Sequence, residues 1–131
     1  MPAYDATRFT PPAPLAKVTL RNPANGAALP DVPMLLDSRA DVTLVPEESA
    51  AHLGVPIDPD RGYELVGLDG STSIARVAHM HMVLFGHTFR GRFLLIRQEW
   101  GILGRNVLNS LSVLLDGPRL TWREEPREGR P

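Results

Sequence analysis

The sequence predicts a mainly β domain carrying one or two short helices. Three observations lead there. Thirteen prolines and eleven glycines interrupt the 131 residues at short intervals and leave little room for long helices. Several segments alternate apolar and polar residues with the period of two that a half-buried strand requires. Between these segments lie turn sequences such as Asn22-Pro23-Ala24-Asn25-Gly26 and Asp116-Gly117-Pro118.

Taken in order, residues 1–15 hold four prolines and no hydrophobic period, so they are expected to form an extended arm, loosely held or paired with a partner. The domain itself is expected over 16–122. Residues 16–21 alternate, and the Asn-Pro-Ala-Asn-Gly turn returns the chain into a strand around 27–29. Val32 to Leu36 is an apolar run of strand length. Pro46 then opens a short helix over 47–53, with Glu47 and Glu48 in its first turn and Gly54 as its stop. Residues 55–62 read as a loop. A hairpin follows, with strands before Gly67 and after Ser71 and glycines at its tip, a shape suited to a lid. Residues 77–85 and 88–96 form a further hairpin about Gly86-His87. A helix is expected from about Arg105 to Leu111, then a last hairpin about Asp116-Gly117-Pro118. Residues 123–131 are charged, and a disordered tail is expected there.

The composition excludes several classes of function. One core fits this length and two do not. The formal charge is −1, so no global field draws the chain to nucleic acid or an anionic membrane. Thirteen of the fourteen basic residues are arginine, which reads as compositional bias. Without cysteine, disulfide and thiol chemistry is ruled out. No apolar run has membrane-spanning length and the first residues lack the build of a signal peptide, so a cytoplasmic location is expected.

The chemistry concentrates at one place. The apolar run ending in Leu35-Leu36 stops at Asp37-Ser38, so a strand expected to be buried delivers a carboxylate and a hydroxyl onto the turn after it. That is a costly place for a charge unless it has partners. The run Leu35-Leu36-Asp37-Ser38-Arg39-Ala40-Asp41-Val42-Thr43 resembles the active-site loop of the retropepsin-like aspartic peptidases. Two further features fall in that family's order: the glycine-tipped hairpin, where the family has its flap, and Ile102-Leu103-Gly104-Arg105-Asn106, where it has the element opening its C-terminal helix.

The resemblance implies a closed β-barrel of the acid-protease kind, with its active site at a homodimer two-fold axis. It implies that Asp37 is the catalytic aspartate and that Ser38 ties the two active-site loops together. Asp41 and Arg105 match positions that form an ion pair bracing the loop. Val66, Gly67, Leu68, Asp69 and Gly70 match the flap that closes over an extended peptide substrate, and Ile102, Leu103 and Gly104 match the brace beneath the loop. The family needs no metal or other cofactor. Its chemistry needs two carboxylates sharing a proton, as the aspartic peptidases do in the general account of coupled acids. Asp116 reads as a turn residue, so the second carboxylate comes from a second copy of the chain.

One residue departs from the pattern. Arg39 stands where the family has glycine, a residue that tolerates unusual backbone angles and leaves room for a substrate. A permanent cation there favours the ionised form of Asp37, so attenuated catalysis is expected. The alternative is an inactive dimerisation or peptide-binding module of the same fold.

Other candidates are weaker. His79 and His81 share a strand face, but no acid or thiol accompanies them and a polar strand face is the better reading. His52 and His87 read as solvated. Arg76, Arg90, Arg92 and Arg97 lack interleaved aromatic rings, so nucleic-acid binding is not expected. Ser38 and Ser71 have no nucleophile motif. Trp100 and Trp122 are expected in the core or an interface.

Overall fold

A computed structural model describes residues 2–66 and 69–126. The chain opens with β1 (Tyr4–Asp5), β2 (Ala13–Arg21), β3 (Ala28–Leu36) and β4 (Leu44–Pro46), followed by helix α1 (Glu47–Leu53). Then come β5 (Ile57–Val66), β6 (Thr72–Leu84), β7 (His87–Ile96), β8 (Gly101–Leu103) and the single-turn helix α2 (Arg105–Leu108). β9 (Val113–Asp116) and β10 (Thr121–Glu124) close the chain as a separate two-stranded hairpin.

The larger sheet runs β1-β2-β3-β8-β4-β7-β6-β5, and an additional β2–β6 pairing bends it into a closed barrel. β2 pairs with β3 on one side and, through Thr19↔Val83 to Arg21↔His81, with β6 on the other. The seam covers the last residues of β2, while β1 and β5 stay at the ends of the sheet as edge strands. The fold is therefore mainly β with two short helices, as expected.

Alternation builds the core. Ala16, Val18 and Leu20 of β2 and Ala78, Met80, Met82 and Leu84 of β6 point inward and are almost fully buried. Leu53 on α1 and Val107 on α2 join the same cluster, as does Trp122. Trp122 is 1% exposed, and its indole N–H donates to the Leu15 carbonyl at 2.9 Å, so the β9–β10 hairpin is anchored to β2.

Local chemistry accounts for the turns. Gly54 caps α1 in the left-handed conformation and donates to the carbonyls of Ala50 and Ala51. Phe85 and Gly86 both take positive φ between Leu84 and His87, the two-residue hairpin turn whose twist matches its strands. Asp116 accepts from the Arg119 N–H and caps the 3-10 turn Gly117–Arg119, the structural part expected of it.

Several boundaries differ from expectation. The two strands expected around Pro30 are one strand, β3. It absorbs the interruption by an irregularity opposite Val18 and Leu20, and Asp31 takes positive φ. The loop expected over 55–62 begins a strand at Ile57, and its break is an irregularity between Asp58 and Gly62. The N-terminal arm is held by its own chain: β1 pairs with β2, Ala3 bridges to Thr121, and Arg8 forms ion pairs with Asp5 and Glu99. Phe9 meets Trp100 edge to face at 5.0 Å. Among the described residues no helix is long and apolar enough to cross a membrane.

Candidate functional site

Asp37 follows directly on β3, and the loop from Asp37 to Thr43 arches over the end of β8. β8 lies between the two strands that this loop connects. It runs parallel to β3, through Met34↔Gly101, Leu35↔Ile102 and Leu36↔Leu103, and meets β4 antiparallel at Leu44↔Ile102. A short strand threaded through its neighbours' connection fixes that connection in space. The Asp37 N–H donates to the Leu103 carbonyl at 3.1 Å, so the carboxylate-bearing residue is bonded to the threaded strand.

The glycines on either side of Ile102-Leu103 exist because of this threading. A Cβ on Gly101 would collide with the Leu44 carbonyl oxygen and the Met34 sulfur. One on Gly104 would collide with the Val42 carbonyl and lie 3.0 Å from the Ala40 carbonyl oxygen. Both are points of close backbone approach, the second main use of glycine beside its freedom in φ.

Arg105 braces the loop from outside. Its backbone N–H donates to the Ala40 carbonyl at 2.8 Å, and its guanidinium Nη1 donates to the carbonyls of Ser38 at 2.8 Å and Arg39 at 3.0 Å. The expected ion pair of Asp41 with Arg105 is not formed among the described residues. The fork is aimed at backbone oxygens, and exposed Asp41 accepts nothing from it. The brace survives with different partners.

Two contributors to the site had no role assigned from sequence. Thr43 is 1% exposed; its hydroxyl donates to Asn106 Oδ1 at 2.7 Å and accepts from the Gly104 N–H at 3.0 Å. This buried hydroxyl links the far end of the Asp37 loop to the start of α2. The usable signal was a β-branched hydroxyl in an otherwise apolar run, Val42-Thr43-Leu44-Val45, which has to find a buried partner. Glu47 is the second. It opens α1 and forms ion pairs with Arg76 on β6 and with Arg97, tying the helix to the base of the β5–β6 hairpin.

Within the loop, Asp37 Oδ1 accepts from the Arg39 N–H at 3.0 Å, and the Asp37 carbonyl accepts from the Ala40 N–H at 3.2 Å. The carboxylate thus organises its own turn. Arg39 is exposed and is not among the positive-φ residues, which outside glycine are, among the described residues, Asp31, Phe85 and Leu120. An arginine therefore costs the loop no backbone strain, and what it changes is the space and charge around Asp37. Ser38 is exposed beside it.

The expected flap is the β5–β6 hairpin, paired down to Val66↔Thr72. Gly67 and Leu68 lie outside the described residues. Asp69 accepts from the Ser71 hydroxyl at 2.6 Å and the Ser71 N–H at 2.9 Å, and these bonds hold its carboxyl below the ordinary carboxylate range. Gly70 takes positive φ. Val66 and Ile74 are 70% and 77% exposed, so the hairpin arm carries uncovered apolar side chains. A cavity of about 800 Å³ lies between α1 and the hairpin base and is not lined by Asp37.

A closed, mainly β barrel with two short helices, carrying an aspartate at the end of a strand on a loop pinned by a threaded strand, is consistent with the retropepsin-like fold. Among solved structures the chain is similar to EIAV protease complexed with the inhibitor HBY-793. The similarity has a TM-score of 0.56 at 21% identity and covers 75% of this chain and 86% of that one. No family model and no curated protein matches the sequence. At that identity the likeness defines the fold.

Proposed function

We propose that the chain is an aspartic endopeptidase acting as a homodimer on extended peptides, with turnover attenuated by Arg39. The observation that carries this reading is Asp37 held at the head of a loop bonded to Leu103 and braced by Arg105. The similar solved protein is a protease with a bound inhibitor, which supports the same reading.

One carboxylate cannot do the chemistry alone. With two Asp37 side chains across a two-fold axis, one takes a proton from water as its oxygen attacks the carbonyl carbon. The other gives its proton to the carbonyl oxygen, and collapse of the tetrahedral species breaks the C–N bond as the nitrogen is protonated. Ser38 links the two loops at the axis, and Val66 and Ile74 cover the substrate. The outer edge of β9 supports the dimer. Among the described residues it pairs only with β10, and its Leu114 and Leu115 are 41% and 54% exposed. A second β9 laid along that edge makes a four-stranded sheet.

A peptide-library digest from acid to neutral pH tests the proposal. Cleavage lost in Asp37→Asn supports it, and cleavage that survives the substitution sinks it. Sedimentation tests the dimer separately: Leu115→Asp shifts it toward monomer. The second reading, a non-catalytic peptide-binding dimer, is favoured by the exposed Arg39 beside Asp37. It predicts that the chain captures peptides without cleaving them.

A further inference from the structure

We infer that the outer face of β2, β6 and β7 is a docking surface for an acidic polypeptide segment lying extended along its strands. This face needs no catalytic step. His79 is seven residues beyond Thr72, roughly 23 Å along the strand from the hairpin tip.

Five basic side chains are in register there. Arg21, His81 and Arg90 stand opposite one another across three adjacent strands, and His79 stands opposite Arg92. Their strand neighbours Leu20, Met80, Met82 and Phe93 are buried, so alternation turns the five outward. The rings of His79 and His81 lie 6.4 Å apart. His81 is pushed below the ordinary histidine range, first by loss of solvent and then by the positive charges of Arg90, His79 and Arg21. Positive potential thus converges on one patch of sheet.

Most arginines elsewhere are treated differently, although Arg39 and Arg105 also lack a carboxylate partner among the described residues. Arg8, Arg76, Arg97, Arg119 and Arg123 each pair with a carboxylate. Arg21, Arg90 and Arg92 have no acidic partner among the described residues. The whole chain carries a formal charge of −1, so this concentration is local. Like charges placed directly across a sheet repel one another, and closing the barrel does not require them.

Spacing and side-chain chemistry select the partner. Residues on one face of a strand recur about every 6.7 Å. An extended segment with Asp or Glu at alternate positions presents its carboxylates at that same period. Each guanidinium fork can take a carboxylate through two parallel hydrogen bonds. Nucleic acid fits less well: beyond the two imidazoles, the outward residues of these rows, Thr19, Val83 and Thr88, offer no ring on which a base could stack.

The surface responds to pH. The groups facing His79 and His81 are Arg21 from β2 and Arg90 and Arg92 from β7, with Asp58 of β5 beside His79 in a cavity of about 290 Å³. Protonating the His81 imidazole adds positive charge, so affinity rises as the pH falls below the ordinary histidine range.

Fluorescence anisotropy on the full chain tests this. The probes are a labelled peptide alternating Glu and Thr, its Gln-Thr counterpart and an oligothymidylate of equal length. The acidic peptide is expected to bind at least about tenfold more tightly than either of the others. Arg90→Gln with Arg92→Gln is expected to weaken it at least about tenfold with unchanged thermal melting, whereas Arg119→Gln leaves it unaltered. Should the double variant melt early, Arg21→Gln alone is expected to weaken binding at unchanged melting. No binding of the acidic peptide, equal binding of the Gln-Thr peptide, tighter binding of the oligothymidylate, or full affinity in folded variants would each overturn the inference.

Discussion

The Arg105 guanidinium donates to the Ser38 carbonyl at 2.8 Å, and the same nitrogen reaches the Arg39 carbonyl at 3.0 Å. One side chain from α2 therefore grips the backbone on the C-terminal side of Asp37. Replacing Arg105 with Met keeps a long apolar stem and removes both bonds. The expected loss is about 1–2 kcal/mol, read from urea denaturation. Arg105→Lys, a point charge without the planar fork, is expected to lose less. A Met variant as stable as the parent would show that the brace contributes nothing.

Thr43→Val is close to isosteric and deletes only the hydroxyl. It strands the buried Gly104 N–H and removes the bond to the exposed Asn106. An unsatisfied buried group costs about 1–3 kcal/mol, so a fall in Tm of several degrees is expected. Thr43→Ser, which retains the hydroxyl, should recover most of the difference.

Gly104→Ala tests the threading. The added methyl has nowhere to go without moving the Val42 and Ala40 carbonyls. Overpacking of this kind costs about 1–3 kcal/mol, and the displaced backbone carries Asp37 with it. Gly26→Ala, with open space around the added methyl but positive φ, provides the contrast: backbone strain without a clash. Equal melting of Gly104→Ala and the parent would remove the close-approach account.

Acid should release the N-terminal arm. Asp5 is held below the ordinary carboxylate range, chiefly by the Arg8 N–H and then by the Arg8 side chain and the Thr7 N–H. Its folded-state value is depressed, so its contribution is present above the unfolded value near 3.9 and is lost as pH falls through the folded one. Trp100 fluorescence, sensitive to Phe9 of the arm at 5.0 Å, should change over that acidic window and lose the transition in Asp5→Asn.

Arg39→Gly is expected to raise kcat/KM at least about tenfold if the arginine obstructs the cleft, with Asp37→Asn abolishing the gain. An unchanged rate in a dimeric, folded variant would clear Arg39 of blame.

Much of this was readable from the residues, because local chemistry and global fold agree over most of the chain. Helix α1 has the predicted bounds, since Pro46 and Gly54 fix both its ends. The loop from Asp37 was legible because an apolar strand that ends in a carboxylate is unusual. The order of β8 between β3 and β4 was not legible: three residues, Gly101–Leu103, carry no period of their own, and only their tertiary slot makes them a strand. The partners of Arg105 were misjudged for a related reason. Sequence displays charges and hides carbonyls, so a cation near an aspartate is paired on paper with the aspartate. The arm's attachment was missed because it rests on backbone pairing of Tyr4 and Asp5 with Pro14 and Ala13, which side-chain patterns do not report.

The β2–β6 seam joins positions as far apart as Thr19 and Val83. Such closure cannot reward the chain until the β5–β6 hairpin exists, so the entropy of a long loop is spent before the first seam bond forms. On a ribosome the early strands β2 and β3 emerge before their other partners, and the β2 edge waits for β6. Folding is therefore expected to be slow for a chain of this size, and the waiting edge is where a partly made molecule is most exposed to aggregation.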